Sequence, residues 1–490
     1  MKNNIKLKDF VFMSQRQRTS PFPNYLSMEA MCDESRRYVG QRLKEMLCIW
    51  QGNLFFAFPH KLSYEKSGKQ LVKKILVNRR WPAQMVASQK KYGKVLVEFT
   101  KKIHQSVGSK TTNRQLAKMF EDYEKRYKPV YATYGWVWLV EDFFMAELLK
   151  LVESKIKNPN QAVDILNILT KQPKAMVALI ERKALLELAV KIGNKPGWKT
   201  NQSVVRLINS HIRKYFWVTR DYEDPAISHD DVVRRLADLF RKDYRREYQR
   251  LVGALKKDNK LQKKYLNTLG FSVTEKELFG AMRDIANLKE LRKTHVSQSL
   301  YYFDKVLEEI ARRLFLSIRQ VRFMKTVEIR QALIEGKDFT AELNNRLRLS
   351  AWDCRTAKTE IFTGYSAEKI FKEFCKVDKN IKEFFGLPVS PGKARGKVKI
   401  VMNPDECDKV QKGDIIVTVQ VVPSFSTAII KSAGLICDGG HGITSHPATL
   451  AREAGIPCVI QTRFAREVLQ DGDEVEVDGY AGIARIVKRQ

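Results

Sequence analysis

With 490 residues, 44% of them hydrophobic and 29% charged, the chain has the composition of a globular protein with material for two or three domains, not of a disordered or fibrous one. Its longest apolar run, residues 130–152, is interrupted by Glu141, Asp142 and Glu147, which argues against a membrane span, and the first eight residues lack the apolar core of a signal peptide. The seven cysteines (32, 48, 354, 375, 407, 437 and 458) are scattered and never spaced as C-x-x-C. That argues against a disulfide framework or a zinc site and points to a reducing cytoplasm.

The formal net charge is +33, and it is unevenly placed. Residues 387–490 carry 13 basic against 12 acidic side chains, whereas residues 1–386 carry 75 against 43. A surplus of that size attracts polyanions, nucleic acid among them, or an acidic partner. A host with generally basic proteins would produce the same surplus, and no aromatic-interleaved RNA motif accompanies it.

In chain order, Pro21 and Pro23 mark a turn-rich entry, a helix is predicted over about 27–48, and Leu54–Pro59 reads as extended. From residue 63 to about 384 the dominant pattern is helical periodicity with basic outer faces. Among the predicted helices are 229–254, 258–268, 274–289, 291–314, 338–347 and 366–376. The breaks carry the expected punctuation at Gly108-Ser109, Asn158-Pro159, Gln172-Pro173, Asn194–Gly197 and Asp224-Pro225. No fixed repeat period argues for a solenoid. After Phe385 the texture changes to short strands bounded by turns: 396–401, 414–418, 434–437, 458–460, 474–477 and 483–487. Helical pieces are predicted between them at 404–410 and 424–432. The expected fold is therefore α plus α/β and multidomain. A large, mainly α-helical domain (1–386) is followed by a compact α/β domain (387–490).

Within the second domain, Gly442 to Pro457 reads as a glycine-permitted turn entering a short helix. Thr444 and Ser445 suit an N-cap, Pro447 the first turn, and Gly455 with Pro457 the stop. A helix N-terminus offers unpaired N–H groups and the positive end of the macrodipole, which together hold an anion. His446 in that first turn is a candidate phosphoryl acceptor. His441 lies in the same loop, whereas the other five histidines stand singly in the helical region, where packing or exposure explains them. Gly392–Val398 is one residue short of a P-loop and lacks the Ser/Thr after its lysine, so it reads as a basic turn. Asp471–Glu474 reads as a hairpin turn rather than a calcium loop. No metal-ligand motif is present, and no nucleotide-binding motif either.

Five segments occur in a fixed order: 413–418 (GDIIVT), 433–436 (AGLI), 442–446 (GITSH), 451–457 (AREAGIP) and 471–479 (DGDEVEVDG). Together they resemble the mobile, swivelling phosphohistidine domain of phosphoenolpyruvate-utilising enzymes, and 390–398 resembles that domain's opening strand. The resemblance implies that His446 is phosphorylated by an ATP-binding domain and carries the phosphoryl group to a second site. Gly442, Thr444, Ser445 and Arg452 would then position or neutralise phosphate oxygens. The sequence departs from the family pattern in reading His441-Gly442 where two glycines are usual, and in placing Pro447 after the histidine. The order of domains is similar to the second half of rifampin phosphotransferase-like and phosphoenolpyruvate synthase-like dikinases, with the helical domain binding the acceptor.

The expectation is thus a phosphotransferase subunit. ATP and Mg2+ would be held by a separate ATP-grasp polypeptide and by no motif of this chain, and a small-molecule acceptor would be held by the helical domain. Two alternatives stand beside it: a component of a split phosphoenolpyruvate synthase or pyruvate phosphate dikinase-like system, and a non-catalytic polyanion-binding or regulatory protein.

Overall fold

The computed structural model describes residues 5–171, 177–355, 358–422, 425–440, 442 and 445–490. The break expected at Gln172-Pro173, together with Pro423, Ser424, His441, Ile443 and Thr444, lies outside the described residues.

The N-terminal region is largely helical, but it is built around a sheet that the periodicity did not reveal. Strands β1 (Ser14–Gln17), β2 (Glu45–Gln51), β3 (Leu54–Pro59), β4 (Leu349–Arg355) and β5 (Lys358–Phe362) form an antiparallel five-stranded sheet in the order β1-β3-β2-β4-β5. Both faces are covered. Met46, Cys48 and Trp50 pack with Tyr25 and Trp352 on one side, and Leu47 and Ile49 pack with Phe56, Phe58 and Phe374 on the other. A strand buried on both faces loses the apolar–polar alternation that makes strands legible. The extended segment expected at Leu54–Pro59 is β3, and one expectation is corrected here: the helix predicted over 27–48 ends by Val39, the chain entering β2 at Glu45.

The helical part is organised by one 42-residue helix, Val273–Leu314. Ser272 and Glu275 form a reciprocal capping box at its start, satisfying two N–H groups that the helix cannot. Phe279, Met282, Ile285 and Val296, Leu300, Phe303 keep one apolar stripe buried along its length. Predicted as two helices parted near residue 290, it runs through because no glycine or proline interrupts Leu288–Val296. Conversely, the helix expected over 229–254 divides into His229–Phe240 and Tyr244–Thr268, the second capped by Asp243, whose carboxylate accepts from Arg246 N at 3.0 Å.

The C-terminal domain is an eight-stranded sheet in the order β6-β13-β12-β8-β9-β10-β11-β7. Its members are β6 (Glu383–Phe385), β7 (Leu387–Ser390), β8 (Lys393–Ile400), β9 (Ile415–Thr418), β10 (Gly434–Cys437), β11 (Cys458–Ile460), β12 (Glu474–Asp478) and β13 (Ile483–Lys488). Strands β8 to β11 are parallel neighbours, with antiparallel strands completing both edges. The predicted strands fall close to these bounds, which supports the α/β expectation for this domain. The boundary at 386/387 is displaced upstream, because β6 pairs with β13 and Val377 and Ile381 pack on the same core. The helix His446–Ala454 follows β10, so its N-terminus lies at the carboxyl ends of the parallel strands, where α/β sheets place ligands.

Candidate phosphohistidine site

The loop that delivers His446 is fixed from below and steered by glycine. Asp438, fully buried at the end of β10, accepts hydrogen bonds from Thr462 Oγ1 (2.7 Å), Ala465 N (2.7 Å) and Arg466 N (3.0 Å). Burial pushes its carboxyl up to about 6. Gly439 then passes so close to Gln15 of β1 that a Cβ would lie 2.2 Å from the Gln15 carbonyl oxygen. Gly442 has φ near +70°, and a Cβ there would lie 2.3 Å from the Glu141 carboxylate. Both positions require glycine for the approach, and Gly442 requires it for the backbone as well. A Gly442→Ala variant is expected to lose about 1–2 kcal/mol of unfolding free energy from the left-handed strain alone. It should also expose His446 to faster modification by diethyl pyrocarbonate. Denaturant unfolding and mass mapping check the two effects.

Ser445 caps the helix from an extended conformation, but its hydroxyl makes no capping bond; it is buried and unpartnered among the described residues. His446 follows, and its Nε2 lies 3.1 Å from Nζ of Lys293 on the long helix. These two groups come from different domains, 153 positions apart. The imidazole is half-buried at a cavity of about 110 Å3 that Ser445, Lys289, Arg292, Lys293, Arg16 and Asp221 help to line. A larger cavity of about 620 Å3 also reaches His446. It lies between the residue 178–242 helices and the C-terminal domain.

The electrostatics follow from this crowding of cations. The Lys293 ammonium holds the His446 imidazole well below its ordinary range, helped by burial and then by Arg292, Arg16 and Lys289. Burial likewise lowers Lys293, with Arg292 and Arg16 adding to it while Asp221 and Glu290 oppose. Lys289 is ion-paired with the fully buried Glu141. Arg16 lies 3.5 Å from Asp221. Arg292 is only 8% exposed; it sits 5.1 Å above the Tyr134 ring, and its Nε has no hydrogen-bond partner among the described residues. A buried guanidinium left this open is costly unless an anion reaches it.

Of the residues singled out from sequence, the structure brings His446, Ser445 and Gly442 together at this interface. Arg452 goes elsewhere: its Nη1 donates to the Val389 carbonyl at 2.8 Å, tying the helix to β7, and it does not line the cavity. The residues that sequence reasoning missed are Arg16, Asp221, Lys289, Glu290, Arg292 and Lys293. Four of them fall in one stretch, Lys289–Lys293, which reads as the solvated face of a basic helix. Its meaning depends on a domain that begins some ninety residues later.

Docking is reinforced away from the histidine. Gln461 and Arg463, both at positive φ, donate to the carbonyls of Met13 (3.1 Å) and Phe374 (3.2 Å), and Gln17 donates to that of Met402 at 2.7 Å. Left-handed conformations in non-glycine residues persist where surrounding contacts over-determine them. Among the described residues no cluster of three or more His, Cys, Asp or Glu is placed to hold a metal ion, and no helix is long and apolar enough to cross a membrane.

Comparison with known proteins agrees with this geometry. Residues 410–482 match the family described as PEP-utilising enzyme, mobile domain. The chain is 47% identical over 98 residues to a probable phosphoenolpyruvate synthase of Methanothermobacter thermautotrophicus, which is 20% of this chain and 14% of that protein. It is 30% identical over 210 residues to the uncharacterized phosphotransferase YvkC of Bacillus subtilis, covering 39% of this chain and 25% of that one. The phosphoenolpyruvate synthase of Pyrococcus furiosus is 43% identical over 98 residues, 20% of this chain and 12% of that protein. Residues 410–482 of the C-terminal domain are thus a PEP-utilising enzyme mobile domain, carried on a large helical region. The chain spans a quarter or less of the length of each of these relatives.

Proposed function

We propose that this protein relays a phosphoryl group through Nε2 of His446 to an acceptor bound against the helical domain. The observation that carries the reading is the seating of Nε2 at the cationic cavity, 3.1 Å from Lys293 Nζ, at the positive end of a helix. An imidazole held below its usual range is neutral at pH 7, and its Nε2 lone pair, which meets the Lys293 ammonium when docked, is free to attack phosphorus once the domain turns away. When the phosphoryl group occupies Nε2, the Lys293 ammonium is placed to contact its oxygens. The Ser445 hydroxyl and the Arg292 Nε, both without a hydrogen-bond partner among the described residues, offer further donors as negative charge shifts during transfer. Thr444 remains a proposed supporting residue, Arg452 acts only by tying the helix to β7, and Gly442 allows the loop to reach the cavity.

The phosphoryl donor is proposed to be ATP with Mg2+ on a separate ATP-grasp polypeptide, in a cytoplasmic setting. The docked arrangement represents the transfer half of the cycle, and rotation of the C-terminal domain away from Lys293 would present His446 to the donor. A kinase-free test is available. Potassium phosphoramidate phosphorylates accessible neutral imidazoles, so treating the protein with it should give an acid-labile, base-stable adduct that tandem mass spectrometry maps to His446. An adduct spread over the other histidines, with His446 unmodified, would sink the proposal.

A further inference from the structure

The geometry points to Asp221 as the general base that deprotonates the acceptor, and hence to an acceptor that attacks through an un-ionised hydroxyl. This rests on the phosphohistidine reading and adds to it a residue and a substrate class. Transfer from phosphohistidine to a hydroxyl requires that the hydroxyl proton go somewhere other than the departing imidazole, whose Nε2 faces the Lys293 ammonium. The cavity that holds His446 is lined by two carboxylates, Asp221 and Glu290. Glu290 already accepts from the backbone N–H of Val177 at 3.0 Å. Among the described residues the Asp221 carboxylate meets Arg16, whose Nη1 at 3.5 Å lies beyond ordinary hydrogen-bond length, which leaves oxygen lone pairs facing the cavity.

The loop bearing Asp221 is held rigidly. The adjacent Arg220 binds Asp304 of the long helix at 2.5 Å, Ser297 Oγ donates to the Arg220 carbonyl at 3.0 Å, and the Tyr222 side chain is buried beneath the Arg16 guanidinium. A base must be fixed within reach of its proton, and these contacts fix it. Thr219, two residues earlier, lines both the small cavity and the 620 Å3 one. An acceptor body lodged in the larger space therefore presents its hydroxyl at the junction, between Asp221 and the phosphorus on His446. A space of that size suits a ligand of many more atoms than a three-carbon acid. An acceptor already anionic at its attacking oxygen would need no base and would be repelled by the Asp221 carboxylate.

The step balances. The hydroxyl proton passes to an Asp221 carboxylate oxygen, the hydroxyl oxygen forms the new O–P bond, and the P–Nε2 bond breaks. Its electron pair returns to Nε2, where the Lys293 ammonium donates a hydrogen bond to it. Asp221 then releases its proton to solvent.

The test loads full-length protein with phosphoramidate and follows loss of phosphohistidine by 31P NMR, in buffer and with glycerol as the probe alcohol. Wild type should lose the group faster than free phosphohistidine and form glycerol phosphate. Asp221→Asn should still load on His446, and the phosphohistidine once formed should transfer about 10²–10⁴-fold more slowly. In Asp221→Ala, added formate or acetate should restore part of the rate, which a purely structural defect would not allow. Normal transfer by Asp221→Asn, absence of carboxylate rescue, or a wild-type rate no faster than free phosphohistidine would overturn the inference and leave the carrier role standing. Failure of His446 to load would overturn the carrier role, and this inference with it.

Discussion

Replacing His446 with alanine should abolish phosphoryl transfer altogether, because among the described residues no second imidazole lines the cavity. The other polar side chains that line it are cations, carboxylates, amides, the Trp138 indole and the hydroxyls of Tyr134, Thr219 and Ser445. None matches a neutral imidazole as a reversible phosphoryl carrier near pH 7. With labelled ATP and a candidate ATP-grasp partner, wild-type protein should acquire an acid-labile label and His446→Ala none, whatever the acceptor. A glutamine variant, His446→Gln, should be equally inactive while keeping a polar side chain at the interface, which separates chemistry from docking. Label retained by either variant would place the carrier at another residue.

The C-terminal domain was legible in the sequence because its signals are local. Short runs such as Ile415–Thr418 and Gly434–Cys437 are bounded by turns, and the glycine before the Ser445-His446 turn has a steric reason that the structure makes explicit at Glu141. Of the N-terminal sheet only β3 was legible, as the extended Leu54–Pro59; β2 and β4 were not, because they pair across about three hundred positions and are buried on two faces. No pattern of period two survives that burial, and no turn joins the partners. The candidate site divided the same way. His446 announces itself through its own loop, whereas Lys293 and Arg292 acquire meaning only when the two domains meet. Arg452 shows the converse failure, since a basic residue one and a half turns into the helix suggests a phosphate contact and instead ties the helix to β7.

That inter-domain contact sets the second large effect, on pH dependence. In the docked state the Lys293 charge is the foremost cause of the depressed His446 pKa. The imidazole should therefore stay unprotonated well below pH 6.5, the value of an unperturbed histidine. Phosphoramidate loading of wild-type protein should change little between about pH 7.5 and 5.5 once the reagent's own ionisation is divided out. In Lys293→Met the nearest cation is gone while burial, Arg292, Arg16 and Lys289 remain, and the acid limb should move up toward the ordinary range. A histidine at the unperturbed 6.5 is about tenfold less available at pH 5.5, so that factor is the ceiling of the expected fall in loading. The sign for stability is also fixed. A histidine depressed in the folded state binds fewer protons folded than unfolded, so its contribution is full above about pH 6.5 and declines as the pH falls through the unfolded value. Wild type should consequently lose more unfolding free energy than Lys293→Met between pH 7 and pH 5.5, as denaturant titration would measure. Parallel pH profiles for the two proteins would mean that Lys293 does not govern the ionisation of His446. Conversely, the Met variant should transfer poorly even at pH 8, where both imidazoles are neutral, because the ammonium that meets the phosphoryl oxygens and the departing Nε2 is missing. The pH-independent loss measures the transfer role of Lys293 and the displaced acid limb its electrostatic role, and one variant reports both.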